Sequence, residues 1–346
     1  MLRKGQWFIL LTVLIALVAC SSDDEQEKAQ VDSNDVNIQE EEESGVDSVY
    51  PLTGLPTETD VHNRLVAVMV NNHPDARPQT GLSHADVVFE ILAEGNTTRF
   101  MALFQSDIPN KVGPVRSARP YYFNLANDYN AIYVYHGAAD HIENMVQTGG
   151  IQGLNGMYFD DDKVLFERST DRVAPHNSYA IFNGIYERAE EQGYPLEADY
   201  EPITFLAEDE TVEGNTATDV RFNYGNHSVR YHYDEQLAQY VRYNDGMQTV
   251  EYMDSTPITL DNVFILETPH QVIDDEGRRE IDLQSGGNAL LLQQGKVENV
   301  QWERIDGRII PTRDGEPVPL VPGQTWINVI PTSSGIASVE LSSEAE

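Results

Sequence analysis

The chain holds a single cysteine, Cys20, in 346 residues. No disulfide can form within it, so its stability must come from burial and hydrogen bonding rather than cross-links. It is also poor in positive charge. Only 22 Lys and Arg stand against 57 Asp and Glu, a formal net charge of −35. Such a field repels nucleic acid and anionic lipid surfaces, which argues against nucleic-acid binding. It suits solubility in a salty or alkaline exterior and says nothing about fold. No apolar run reaches the roughly 20 residues that cross a bilayer comfortably. The catalytic signatures are missing too. There is no serine elbow, no P-loop and no dinucleotide fingerprint, and Gly150, Gly153 and Gly156 recur with the wrong spacing.

What is present begins with a leader. Arg3 and Lys4 precede an apolar run from Trp7 to Ala19, which ends Leu17-Val18-Ala19-Cys20-Ser21. A basic start, a short apolar core and a small-residue end make a secretory signal. A cysteine at the cleavage position is similar to the bacterial lipobox, in which the thiol is acylated. The reading is a signal peptide over 1–19 and a lipid anchor on Cys20. It places the protein on the outer face of the bacterial cytoplasmic membrane. Residues 20–49 read as a tether, with eleven Asp or Glu and one Lys between 21 and 49 and no aromatic residue. A segment this polar cannot offset its ordering entropy and is expected to be disordered, reaching roughly 30 Å as a coil.

From residue 50 the texture is globular. Continuous apolar runs predict buried strands over 64–70, 87–93 and 99–105, with Gly95-Asn96 as a hairpin turn between the last two. Tyr122, Leu125, Ala126 and Tyr129 share one helical face after Ser117. A strand over 131–135, a helix over 140–146 and a helix capped by Ser178 follow. Residues 50–200 therefore read as an α/β or α+β domain. Beyond that, alternating strands separated by Asn-Asp-Gly and Asp-Gly turns predict a mainly β domain over 201–333, a small sandwich or barrel-like sheet. The tail, 334–346, is polar and expected to be flexible.

Several long motifs carry a family resemblance. They include Ala76-Arg77-Pro78-Gln79-Thr80-Gly81, Val112-Gly113-Pro114-Val115-Arg116-Ser117-Ala118-Arg119, His136-Gly137 and Ala174-Pro175-His176-Asn177. Pro322-Gly323-Gln324-Thr325-Trp326-Ile327 carries it in the second half. The chain resembles the YerB-like bacterial lipoproteins with two DUF3048 modules, over nearly its whole length past the tether. The resemblance implies a family of unknown function, so function has to be argued from the site.

Arginines gathered in so acidic a chain are the most informative feature. Arg77, Arg99, Arg116, Arg119 and Arg168 fall in the first half, with Ser117 beside Arg116 at an expected helix start. Guanidinium forks bind phosphate or carboxylate in a bidentate manner, and a helix N-terminus favours an anion. This set is the candidate site for an anionic envelope component. The alternative for the same arginines is internal pairing with acids such as Glu90 and Glu94. A second reading makes the protein an envelope-polymer phosphotransferase or hydrolase, with Glu90 or Glu94 and His136 or His176 as acid and base. A third makes it a scaffold for protein partners. The spacing of His136, Asp140 and His141 does not match a helical zinc pair, so no metal and no cofactor is expected.

Overall fold

The computed structural model describes residues 48–207 and 210–343. The expected signal peptide, the Cys20 anchor and most of the expected tether lie outside the described residues. The last two tether residues, Ser48–Val49, form a short strand against Pro56–Thr57.

The apolar runs become strands buried on both faces. These are β1 (Val66–Asn71), β2 (Val87–Leu92) and β3 (Thr98–Phe104), in which every residue is buried. Side chains alternate across a strand, so one run feeds two cores. Val66, Val68 and Val70 enter the first core and Ala67 and Met69 the second. Each fully buried Val, Leu or Phe contributes about 1.5–3 kcal/mol before ordering entropy is subtracted. Pro120 opens α1 (Pro120–Asp128), a position where its missing N–H costs nothing. Tyr122, Leu125 and Ala126 of that helix, with Tyr129 just past its end, lie in the second core. Next come β4 (Ile132–Tyr135), α2 (Asp140–Thr148) and β5 (Gly153–Asn155). Then follows α3 (Phe182–Glu191).

Ser178 does not cap that last helix. Ser178–Ile181 is itself a strand, paired with Phe166–Arg168 and with Lys111–Val112, and α3 starts at Phe182. The pairing satisfies backbone groups that a helix cap would otherwise take.

Beyond residue 200, β6 (Asp219–Tyr224), β7 (His227–Asp234) and β8 (Gln239–Asn244) form consecutive hairpins of a second sheet. Tyr231 and Tyr240 of these strands are buried in the first core. The remaining long strands are β9 (Asn262–Thr268), β10 (Gly287–Gln293), β11 (Lys296–Ile305), β12 (Arg308–Arg313) and β13 (Thr325–Pro331). They build no separate sandwich or barrel. They extend the sheet of the first segment in the order β12-β11-β10-β9-β13-β2-β3-β1-β4-β5. The weld is β13, parallel to β9 on one side and to β2 on the other, with Trp326 opposite Val88. The described residues belong to one compact unit. The first core fills the space between this sheet, the second sheet and α3; the second lies under α1 and α2.

The expected tail is ordered as far as residue 343. Val339 is buried in the first core, and Glu340–Ser342 pairs as an edge strand with Asp219–Arg221. One apolar residue and a free sheet edge are enough to hold it.

Strand direction places the site. β9, β13, β2, β1, β4 and β5 all run the same way, and β3 runs against its two neighbours. The carboxyl ends of β2, β1, β4 and β5 therefore share one edge, the usual place for a ligand crevice in such sheets.

Candidate functional site

Five segments meet at that edge. Asn71 ends β1, His136 follows β4, and Glu94 follows β2. Arg99 sits at the start of the antiparallel β3. The Gly113-Pro114-Val115-Arg116-Ser117 stretch is threaded between β1 and β4. Asn71 donates its N–H to the Pro114 carbonyl (2.9 Å), Arg116 donates to Met69 (2.9 Å), and His136 donates to Arg116 (3.0 Å). Extended backbone bonded on both sides fixes Arg116 in place. It also shows why the helix cannot begin at Ser117: these residues are still laid against the sheet, and Arg119 is the residue before α1.

The arginines divide by partner. Arg99 donates to Glu94 (2.7 Å) and to the Ser117 carbonyl (2.7 Å). Arg119 also pairs with Glu94, and its guanidinium turns back to the Ala118 carbonyl. Arg77 pairs with Asp245 at 2.6 Å. Arg168 pairs with Asp160 at 2.8 Å and donates to Asn177 (2.8 Å). Arg172 has no carboxylate among the described residues. It donates to the Asp75 carbonyl (3.4 Å) and the Pro78 carbonyl, and lies 4.5 Å over the Tyr252 ring. Arg116 lacks a carboxylate as well. It forms no ion pair among the described residues, and its Nε is buried without a hydrogen-bond partner. Burial, and then the neighbouring Arg99 charge, lowers its pKa from the ordinary arginine value. A bound anion would oppose both effects.

The carboxylates are committed elsewhere. Glu90 sits on the other face of the sheet, 1% exposed. It accepts from Arg242 (2.8 Å), Trp326 Nε1 (3.1 Å) and Thr98 (2.9 Å). Glu94 is shared by Arg99 and Arg119. No contact joins either acid to His136 or His176 among the described residues.

His136 is held firmly. Its Nδ1 meets Ser178 Oγ at 2.7 Å, and Arg168 approaches its Nε2 at 3.5 Å. An arginine only donates, so Nε2 accepts and Nδ1–H donates to Ser178. Burial, then the Arg168 charge, pulls its pKa down. His176 is half-buried, and burial followed by the Arg116 charge lowers its pKa as well. Both shifts favour the neutral imidazole.

Residue-level reasoning on sequence leaves out His73 and Asn71. His73 stacks on His176 with ring centroids 4.9 Å apart and 27° between planes. Asn71 Nδ2 donates to His176 Nδ1 (2.8 Å). Asn71-Asn72-His73 directly follows the apolar run Val66–Val70, which is the sequence signal that marks them. The Asp160-Asp161-Asp162 run is a structured turn. Asp162 Oδ1 accepts three backbone N–H groups, from Val164, Leu165 and Phe166.

A mixed sheet with α1 and α2 on one face, α3 and a second sheet on the other, and a guanidinium without an ion pair among the described residues at its strand ends defines an architecture. It does not define an activity. The chain belongs to the DUF3048 family. Residues 52–195 match the model described as "Protein of unknown function (DUF3048) N-terminal domain", and residues 218–327 match its C-terminal domain counterpart. The chain is 45% identical over 286 residues to the Bacillus subtilis (strain 168) protein described as "Putative lipoprotein YerB". That match covers 81% of this chain and 86% of the relative. The crystal structure of the YerB protein from Bacillus subtilis is similar to this chain with a TM-score of 0.78 at 42% identity. It covers 85% of this chain and 99% of the solved one.

Proposed function

We propose that this protein is a lipoprotein held on the outer face of the bacterial cytoplasmic membrane through Cys20, and that its strand-end crevice binds an anionic component of the cell envelope. The observation that carries the binding reading is Arg116. In a chain with a net charge of −35, a part-buried guanidinium without an acidic partner loses hydration and gains nothing from the protein. That cost is recovered only when an anion arrives. Arg77, Arg99, Arg119 and Arg168 each hold a carboxylate already. They position the site rather than offer it free charge. Binding is favoured over catalysis because Glu90 and Glu94 are both tied to arginines and His136 is spent on Ser178 and Arg168.

The test is a thermal-shift titration of the lipid-free chain from residue 21. The ligands are muropeptides, wall glycopolymer fragments and inorganic phosphate. A ligand at 100 times its dissociation constant should stabilise the fold by about 2.7 kcal/mol. Arg116→Ala should abolish the shift, and Lys111→Ala, whose partner is Glu167, should retain it. An absence of shift with every anion from a cooperatively melting protein overturns the binding reading. For the anchor, the protein should take up a labelled fatty acid in cells and Cys20→Ser should abolish that label; a label kept in the variant would refute it.

A further inference from the structure

We propose that the stacked histidines His73 and His176, together with Arg116 and Asp75, recognise a singly charged phosphodiester with a neighbouring hydroxyl group, the chemistry of a polyol phosphate. This rests on the anion reading above and names its ligand class.

The hydrogen-bond network assigns the tautomers. His73 Nδ1 accepts the Asp75 N–H (3.2 Å). His176 Nδ1 faces Asn71 Nδ2 at 2.8 Å. Asn71 cannot be turned over, because its Oδ1 accepts the His73 N–H at 3.0 Å. Asn71 therefore presents its NH2 to His176. With Nδ1 accepting in both rings, a neutral imidazole carries its proton on Nε2. The pair thus offers two N–H donors next to the unpartnered Arg116.

The same residues resemble a metal set, since ligand-type atoms of His73, Asp75 and His176 lie within 4.8 Å of one another. Their chemistry points the other way. Zinc takes the imidazole lone pair and leaves the second nitrogen to donate. Here the second nitrogen accepts in both rings, and the Arg116 and Arg172 charges bear on His176. The set is two donors and one acceptor. Arg116 and Arg172 against Asp75 leave one net positive charge, which matches a single negative charge on the ligand. An ionised Asp75 only accepts, so it needs a donor on the ligand, and a hydroxyl beside the phosphodiester supplies one.

The test is titration calorimetry on the full chain from residue 21. The probes are glycerophosphoglycerol, dimethyl phosphate, inorganic phosphate and zinc chloride. Glycerophosphoglycerol should bind about fivefold more tightly than dimethyl phosphate, the worth of one hydrogen bond, and Asp75→Asn should erase that preference. His176→Ala should weaken binding about tenfold, as expected for losing a hydrogen bond to a charged group. His176→Gln, which keeps an N–H donor, should recover most of it. If Arg116→Ala abolishes binding while His73→Ala and His176→Ala bind as the parent does, this proposal falls and the anion reading stands. Zinc binding that requires His73 and His176, without phosphodiester binding, also overturns it. No binding of any anion removes both. Phosphatidylglycerol vesicles and soluble polyglycerol phosphate carry the same group, and comparing them identifies a headgroup or a polymer as the source.

Discussion

At the scale of single residues, two buried ionisable groups pull stability in opposite directions with pH. Burial pushes the Asp86 carboxyl up to about 7, against hydrogen bonds donated by Ser106. The native state then holds more protons than the unfolded chain between pH 3.8 and 7. Asp86 therefore costs stability as pH rises through that window. His270 behaves in the reverse sense. Burial, then the Arg279 charge, lowers its pKa to about 3, and both ring nitrogens lack hydrogen-bond partners. Its stability contribution is complete above pH 6.5 and is lost as pH falls toward 3. Between pH 4 and 6.5 the two slopes oppose each other, each at most about 1.4 kcal/mol per pH unit. His136 and His176, whose pKa values are lowered as well, add to the His270 slope. His270→Phe, which also removes two unsatisfied buried atoms, should be more stable than the parent and should lose less stability than it in urea melts on acidification from pH 6.5 to 4.5. A variant that loses as much as the parent over that range would refute the assignment.

At the scale of elements, one buried contact between the second sheet and the first is the Glu90–Arg242 pair, between β2 and β8. The two side chains are 1% and 0% exposed, and the Arg242 guanidinium lies 4.6 Å over the Trp326 ring on β13. Three strands from distant parts of the chain thus converge on one buried charge pair. Removing one partner leaves the other charge without compensation, which costs about 3–5 kcal/mol. Arg242→Met should lower the urea-derived unfolding free energy by that amount, whereas Arg313→Met, at an exposed pair with Glu298, should change it by less than about 1 kcal/mol. Equal effects would show that the buried pair is not the link. Arg77, Arg99, Arg119 and Arg168 follow the same rule of local commitment to a carboxylate, whereas Arg116 and Arg172 form no ion pair among the described residues.

At the scale of the molecule, the sheet is shared. β13 lies between β9 and β2, so neither the segment 50–200 nor the segment 201–333 completes the large sheet alone. A fragment ending at residue 200 would expose the Val87–Ile91 edge that β13 covers, an unpaired apolar strand open to aggregation. The prediction is one cooperative calorimetric transition for the chain from residue 21, and no cooperative melt for residues 48–200 expressed by themselves. Two separate transitions in the longer protein would refute it.

The sequence alone determined the long apolar strands, α1, α2 and the turns, though not the short Ser178–Ile181 strand, because each depends on local apolar periodicity and on Gly, Pro and Asn punctuation. It also marked His136 as a strand-end residue and Arg116 as one of a group of arginines out of place in an acidic chain. Tertiary structure decided which carboxylate each arginine reached. Glu94 neutralises Arg99 and Arg119, Glu90 turns to the opposite face, and Arg116 is left without an acid. It also decided that β9–β13 continue the first sheet, and that His73, just over a hundred residues from His176 in sequence, stacks upon it. The reason is physical. Periodicity and capping are properties of neighbouring residues, whereas ion pairing and parallel strand pairing are contacts across long sequence separation that no local pattern encodes.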